Sequence, residues 1–409
     1  MPREALLRFR HIQAQEVAAC ETADDVAAAL ERARQAGLRV AVRSGGHCFA
    51  GRSSTEGLLV DVSPMRSVEV GDATCSVGAG AVLGDVYDAL DAHGRTIAGG
   101  CGPEVGIAGL LLGGGLGILG RRHGLTCDQL VAARVVLADG RVVDCDERRE
   151  SDLFWALRGA GGGQFGVVTE FTLRTVPAPR VTTLDLVWPL ERAAAAIAAW
   201  QDWAPDAPDD VAASLVIAAE VHLFGAMAPG GDLDAFVARV GGDPSSASLR
   251  EHEYRDAKRH LAEHGPAEGP DGHLYTKSEF FRASLPADAI AALLDAFVAP
   301  GPFRVLDFSP WGGAYGRNAS GAFAHRDARF LLKQDAVVAG PDEAGAARGW
   351  LERSWAIVHP YGTGGVYPNF PDPDLEGWAR AYHGAGLERL REVKARYDPH
   401  AVFSFEQSV

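Results

Sequence analysis

Three glycine-dense stretches within the first 166 residues restrict this chain more than any other feature: Arg43-Ser-Gly-Gly-His47, the segment from Gly99 to Gly124, and Gly159-Ala-Gly-Gly-Gly-Gln-Phe-Gly166. Glycine has no Cβ, so it enters positive φ freely and lets another group lie against the backbone. Each stretch follows a strand or helix signal, and consecutive N–H groups in such a loop form a concavity for an anion, above all a pyrophosphate. The chain holds 49 glycines in 409 residues without a period of three, which excludes a collagen-like rod. Others, among them Gly37, Gly94 and Gly140, read as caps and turns. The length leaves room for two or three domains.

Charge narrows the partners. A formal charge of −15 repels polyphosphate backbones and anionic bilayers, so neither nucleic acid nor membrane is expected as a partner and small neutral substrates fit better. The longest uncharged run, Val105 to Gly120, carries too much glycine to span a bilayer as a helix. The first ten residues lack the apolar core of a secretion signal, which predicts a cytoplasmic protein. Six cysteines, at 20, 48, 75, 101, 127 and 145, show neither CxxC nor zinc spacing, so thiols and no metal are expected. All six precede residue 146, an asymmetry that points to chemistry in the N-terminal half.

Local pattern orders the rest. Residues 23–36 predict an alanine-rich helix closed by Gly37, and 82–94 a second helix closed by Gly94. Alternating segments around Gly71-Asp72 and Asp139-Gly140 predict hairpins. Residues 150–176 read as helix, glycine loop and strand, and 386–399 as a helix stopped by Asp398-Pro399. Pro177-Ala178-Pro179 punctuates the chain, and a domain boundary is placed there.

Two motifs match by accident of spelling. Gly115-Leu-Gly117-Ile-Leu-Gly120 satisfies the dinucleotide fingerprint, but Gly124 interrupts the helix that should follow and Asp139 belongs to a hairpin turn, so a nicotinamide site is rejected. His260-Leu-Ala-Glu263-His264 imitates a zinc-protease helix, yet it lies in a strongly charged stretch and reads as a solvated face.

Taken in order, the loops and the C-terminus resemble the berberine-bridge-enzyme-like branch of the FAD-linked oxidases, within the vanillyl-alcohol-oxidase (PCMH-type) superfamily. The segments that carry the resemblance are Arg43-Ser-Gly-Gly-His47, the run Val105 to Leu125, Asp152 to Phe171, and the C-terminal stretch from Gly364 through Tyr367-Pro-Asn369 to Val409. Two departures stand out: Gln164 replaces the family's usual asparagine, and three residues rather than two separate Cys101 from Val105-Gly106.

The resemblance implies an α+β flavoprotein: a two-part FAD-binding domain of residues 1–178 and 366–409, with an inserted substrate domain, 179–365, of antiparallel sheet backed by helices. It implies FAD held covalently through His47 and through Cys101, with Cys48 as the competing thiol. The remaining cofactor contacts it assigns are Arg43, Ser44, Gly45, Gly46 and Cys48 in the first loop, and Val105, Gly106, Gly109, Gly113, Gly114, Gly115 and Gly117 in the second. Gly163, Phe165, Gly166 and Val168 follow in the third, with Asn369 holding flavin or loop. Tyr367 is implied as the catalytic base, with Lys333, Arg317, Arg326 and His325 as possible activating partners or plain surface charge. Trp311, Tyr315, Tyr361 and Phe370 are open between pocket lining and core. The reaction so implied is oxidation of an alcohol or related C–H of a small molecule by hydride transfer to flavin N5, with O₂ reduced to H₂O₂. The small Val105 at the family's oxygen-gate position favours this over a dehydrogenase using another acceptor. A flavin-carrying protein without turnover is the alternative of another class, and the oligomeric state is left open.

Overall fold

The computed structural model describes residues 3–266, 270–318 and 320–409; Met1 and Pro2, which begin the stretch read for a secretion signal, lie outside them. The N-terminal third is built where the patterns place it. Helix Ala23–Ala36 starts at a capping box between Thr22 and Asp25 and stops at Gly37, whose φ of 63° only glycine adopts cheaply. It covers a parallel sheet in the order Glu16–Ala19, Leu58–Asp61, Val40–Arg43. A five-stranded antiparallel sheet follows, ordered Val68–Val70, Thr74–Gly78, Val167–Arg174, Leu130–Val136, Val142–Asp146, and its outer pairs are the hairpins expected at Gly71 and Gly140.

From Arg180 onward the chain builds a seven-stranded antiparallel sheet, ordered Ser246–Glu253, Arg180–Trp188, Val221–Met227, Ala212–Ile217, Phe303–Pro310, Phe330–Val338, His273–Phe281. Period-two alternation decides its two faces. Leu306, Phe308, Phe330 and Leu332 point into a core with helices Ala193–Trp203, Ala287–Val298 and Ala344–Val358. At one end of the opposite face, Val181, Ala226 and Leu331 join a second core with the two N-terminal sheets. Leu390 and Val393 of helix Leu387–Tyr397 enter that same N-terminal core, so the last residues pack on the first half of the chain. Among the described residues no helix is long and apolar enough to cross a membrane, and no group of three or more His, Cys, Asp or Glu is arranged to hold a metal.

Candidate active site

Strand Val40–Arg43 of the parallel sheet ends at the first glycine loop. Its Arg43 guanidinium turns inward, donating to the carbonyls of Ser53 (2.9 Å) and Arg3 (3.1 Å) and to Ser54 Oγ (3.0 Å). Ser44 Oγ donates to the Ala79 carbonyl at 2.7 Å. Both side chains shape the loop. Gly45 lies so close to Gly106 that a Cβ on either would meet the other's backbone, and Gly46 adopts a φ of 80°. Among the described residues, the N–H groups of Gly45, Gly46, His47 and Cys48 donate to no protein acceptor. The His47 ring is exposed, yet it stands in a recess of protein atoms whose desolvation lowers its pKa below the ordinary 6.5; Glu104 opposes that shift and Arg3 adds to it. A lowered pKa keeps the imidazole neutral, hence nucleophilic, at neutral pH.

The second loop brings Cys101 and Val105, both partly buried, beside the first. Gly106 leads into helix Ile107–Leu112, and at the exposed Gly109 a Cβ would meet nothing within 4 Å. The buried turn that follows is clamped from outside. Gly115 N–H (2.8 Å), Leu116 N–H (3.2 Å) and the Asn369 amide (3.2 Å) all donate to Tyr367 Oη, and Asn369 also donates to the Leu110 carbonyl (2.8 Å). Gly117 N–H donates to Tyr315 Oη at 3.1 Å, and the same hydroxyl donates back to the Gly117 carbonyl at 3.1 Å. A Cβ at Gly113 would strike Asn369, and one at Gly114 would press on Phe323 and Tyr367. Gly113 and Gly114, assigned to the cofactor from sequence, are also required by the Asn369, Phe323 and Tyr367 side chains behind them.

The third loop is closed by the C-terminus. Lys394 Nζ donates to the carbonyls of Gln164 (2.6 Å) and Phe403 (2.7 Å), and Val409 N–H donates to Gln164 Oε1 at 2.9 Å. Gly162 and Gly163 again carry N–H groups without a protein acceptor among the described residues. Phe165 and Val168 are buried in the core, and Gly166 sits against Val135 and Val136, so the side chains of this segment build its support. Gly163 borders a cavity of about 600 Å³ walled by Arg39 to Val42, Arg52, Ser54 to Gly57 and Phe403 to Gln407. Unpaired N–H groups in two glycine loops, an adjoining ligand-sized cavity, a neutral imidazole and a thiol together fit a flavin dinucleotide.

The Tyr367 side chain is enclosed, its hydroxyl included. It is 1% exposed, caged by Phe280, Trp311, Phe323 and Phe370, and its oxygen is occupied by three N–H donors. Burial pushes its pKa up to about 12 against the pull of those hydrogen bonds, so at neutral pH it is a protonated phenol that locks loop to C-terminal segment. None of its candidate partners reaches it. Arg326 is paired with Asp128 (2.7 Å), Arg317 with Asp209 (2.6 Å), and His325 stacks on Phe280 with its pKa pushed down to about 4 by burial. Trp311 and Tyr315 are core, Tyr361 is exposed, and Phe370 adjoins the first glycine loop, 5.8 Å from Phe49.

Lys333 does reach the site, by another route. Its Nζ lies 5.0 Å from the Phe370 ring and 2.8 Å from Asp335 Oδ2, directly across the strands from Asp307. Burial raises the Asp307 pKa, with Lys333 opposing and Asp335 reinforcing. The same sheet face carries Ser309 beside Ser214 and the pair His222–Asp185 at 2.9 Å. Sequence reading missed Asp307 and Asp335; the available signal was Lys333 and Asp335 on alternate positions of FLLKQDAVV, and Asp307 two places before Ser309 in FRVLDFSP, in strands that are otherwise largely apolar.

Fold and loops together define a flavin-dependent oxidoreductase whose cofactor loops are covered by a large antiparallel sheet. Residues 14–146 match the family described as FAD binding domain, and residues 366–409 match berberine and berberine like. The chain is 32% identical over 403 residues to the uncharacterized FAD-linked oxidoreductase YvdP of Bacillus subtilis (strain 168), covering 94% of this chain and 90% of that one. It is similar to the solved structure of Physcomitrella patens BBE-like 1, at a TM-score of 0.91 and 26% identity over 99% of this chain and 93% of that one. It is also similar to glucooligosaccharide oxidase from Acremonium strictum, whose FAD is described as 6-S-cysteinyl, 8α-N1-histidyl, at a TM-score of 0.87 and 27% identity over 99% and 94% of the two chains. The chain belongs to the berberine-bridge-enzyme-like family of FAD-linked oxidoreductases.

Proposed function

We propose that the chain is an oxidase that holds FAD through His47 and Cys101 and oxidises a hydroxyl-bearing carbon of a small polar molecule. The observation that carries this reading is an exposed His47 with a lowered pKa on a loop whose N–H groups, from Gly45 to Cys48, donate to no protein acceptor among the described residues, beside the loop that carries the partly buried Cys101. When bound, FAD would supply a hydride acceptor at N5 and a route for the electrons to O₂, yielding H₂O₂.

The protein's own part is to orient the substrate and take its hydroxyl proton. We assign that proton to the Asp307–Lys333–Asp335 cluster in place of Tyr367. Asp307 is partly buried, faces the cofactor side and has a raised pKa, which strengthens it as a base, while Lys333 holds the second carboxylate. Around it, Ser214, Ser309, Asp185 and His222 offer donors and acceptors suited to a substrate with several hydroxyls. The division into a cofactor domain (1–178 with 366–409) and a substrate domain (179–365) follows from this reading and is proposed with it.

Acid precipitation tests the attachment: flavin stays in the protein pellet, and peptide mass spectrometry finds it on His47 and Cys101. A colourless pellet with all flavin in the supernatant overturns covalent binding. Peroxide formation on a panel of alcohols and sugars under air separates an oxidase from a dehydrogenase.

A further inference from the structure

Helix Tyr254–Glu263 lies beyond the cofactor loops in sequence, yet it sends one side chain into them. Lys258 is 3% exposed, and its Nζ donates to the carbonyls of Gly99 (2.5 Å) and Gly100 (3.0 Å) and lies 3.7 Å from Cys101 Sγ. The rings of Tyr87 and Tyr254 wall the ammonium at 4.9 and 5.3 Å, and Tyr87 Oη donates to the Gly100 carbonyl at 2.7 Å. Among the described residues no carboxylate reaches it; the nearby Arg255–Asp88 pair sits on the exposed side of the helix. A buried ammonium without a counter-ion is costly, and the Cys101 sulfur is the group here able to become one.

We infer that Lys258 is a positioning residue that holds the Cys101 side chain as a thiolate facing its ammonium, and so prepares it to bond to the flavin ring. The inference rests on the proposed attachment through Cys101. The proton balance is simple: the S–H bond breaks and the proton goes to the Lys258 amine or to water, leaving an ammonium–thiolate pair. Burial lowers the Lys258 pKa, and Cys101 is the group that raises it back. Both tyrosines are held far above their ordinary range by burial, so neither supplies a competing negative charge. Thiolates are favoured beside lysines, and the thiolate is the nucleophilic form.

The test compares full-length wild type, Lys258→Met and Lys258→Arg by peptide mass spectrometry after acid denaturation, with the His47 peptide as an internal control for a folded, flavin-loaded site. In wild type Cys101 carries flavin; in Lys258→Met the linked fraction falls about tenfold or more while His47 stays linked, and Lys258→Arg, which keeps the cation, restores it. Cys101 fully linked in Lys258→Met, or equally depleted in both variants, overturns the inference and leaves the attachment reading standing. If Cys101 is unlinked in wild type, the attachment reading fails instead, and alkylation by iodoacetamide at pH 7 decides the role of Lys258. A rate at Cys101 about tenfold lower in Lys258→Met than in wild type supports the pair, and equal rates overturn it.

Discussion

The glycine loops and the large sheet build their halves of the site from different material. The loops offer backbone: N–H groups of Gly45, Gly46, Gly162 and Gly163 that no protein acceptor uses among the described residues, in conformations such as φ 80° at Gly46 and 77° at Gly163. The sheet offers side chains: Asp307, Lys333, Asp335, Asp185 and His222, standing on one face of regular strands. A backbone-built site fails when a Cβ is added, whereas a site built from side chains on strands can change one residue at a time and keep its frame. The difference explains why the cofactor is written plainly in this chain and the substrate is not.

Substitutions can break that comparison. Asp307→Asn and Asp335→Asn test the sheet: in the variant that loses the base, the rate of flavin reduction falls by about 10² or more with flavin content unchanged. Stopped-flow reduction and the absorbance ratio of flavin to protein check this. If neither variant slows reduction, the carboxylates leave the mechanism. Gly106→Val tests the loops, because its side chain meets the Gly45 backbone; flavin content drops about tenfold or more, the equivalent of about 1.4 kcal/mol of lost binding. Full loading of Gly106→Val would remove close loop packing as a condition for binding.

Tyr367→Phe sharpens the boundary between the halves. It leaves the N–H groups of Gly115 and Leu116 and the Asn369 amide without their shared acceptor, a loss of about 1–3 kcal/mol. Thermal unfolding therefore shifts down by several degrees while flavin reduction stays within about threefold. A hundredfold loss of reduction rate would return Tyr367 to the chemistry. The smallest effect concerns pH. His325 and His383 are buried and each is pushed down to about 4, below an unfolded value near 6.5. The unfolded chain takes up these protons first, so the contribution is intact above pH 6.5, declines as pH falls toward 4, and levels off below. Melting temperatures between pH 7.5 and 4.5 record the decline, and His383→Phe flattens it.

Much of the cofactor half was legible because its signals are local. Helix Ala23–Ala36 needs only its cap, its alternating faces and Gly37. The hairpin at Gly140 needs only a turn between two alternating runs. The surroundings of Tyr367 were not legible for the opposite reason: two of the three donors to its oxygen, the N–H groups of Gly115 and Leu116, lie about 250 residues earlier in the chain. Phe165 and Val168 carry the same lesson, since a residue in a cofactor motif can serve the core behind it.

By itself the sequence determined three glycine loops suited to an anion, because glycine placement and short-range periodicity act through the neighbouring backbone, and the family resemblance of those loops and the C-terminal segment implied FAD. Tertiary structure decided who holds those loops and what faces them. Tyr315, Tyr367, Lys258 and Lys394 grip the loops from about 160 to 250 residues away in sequence, and Asp307 meets Lys333 only because two strands pair in register. Hydrogen bonds and desolvation act at ångström range in space, and no pattern along the chain reports which distant groups will come that close.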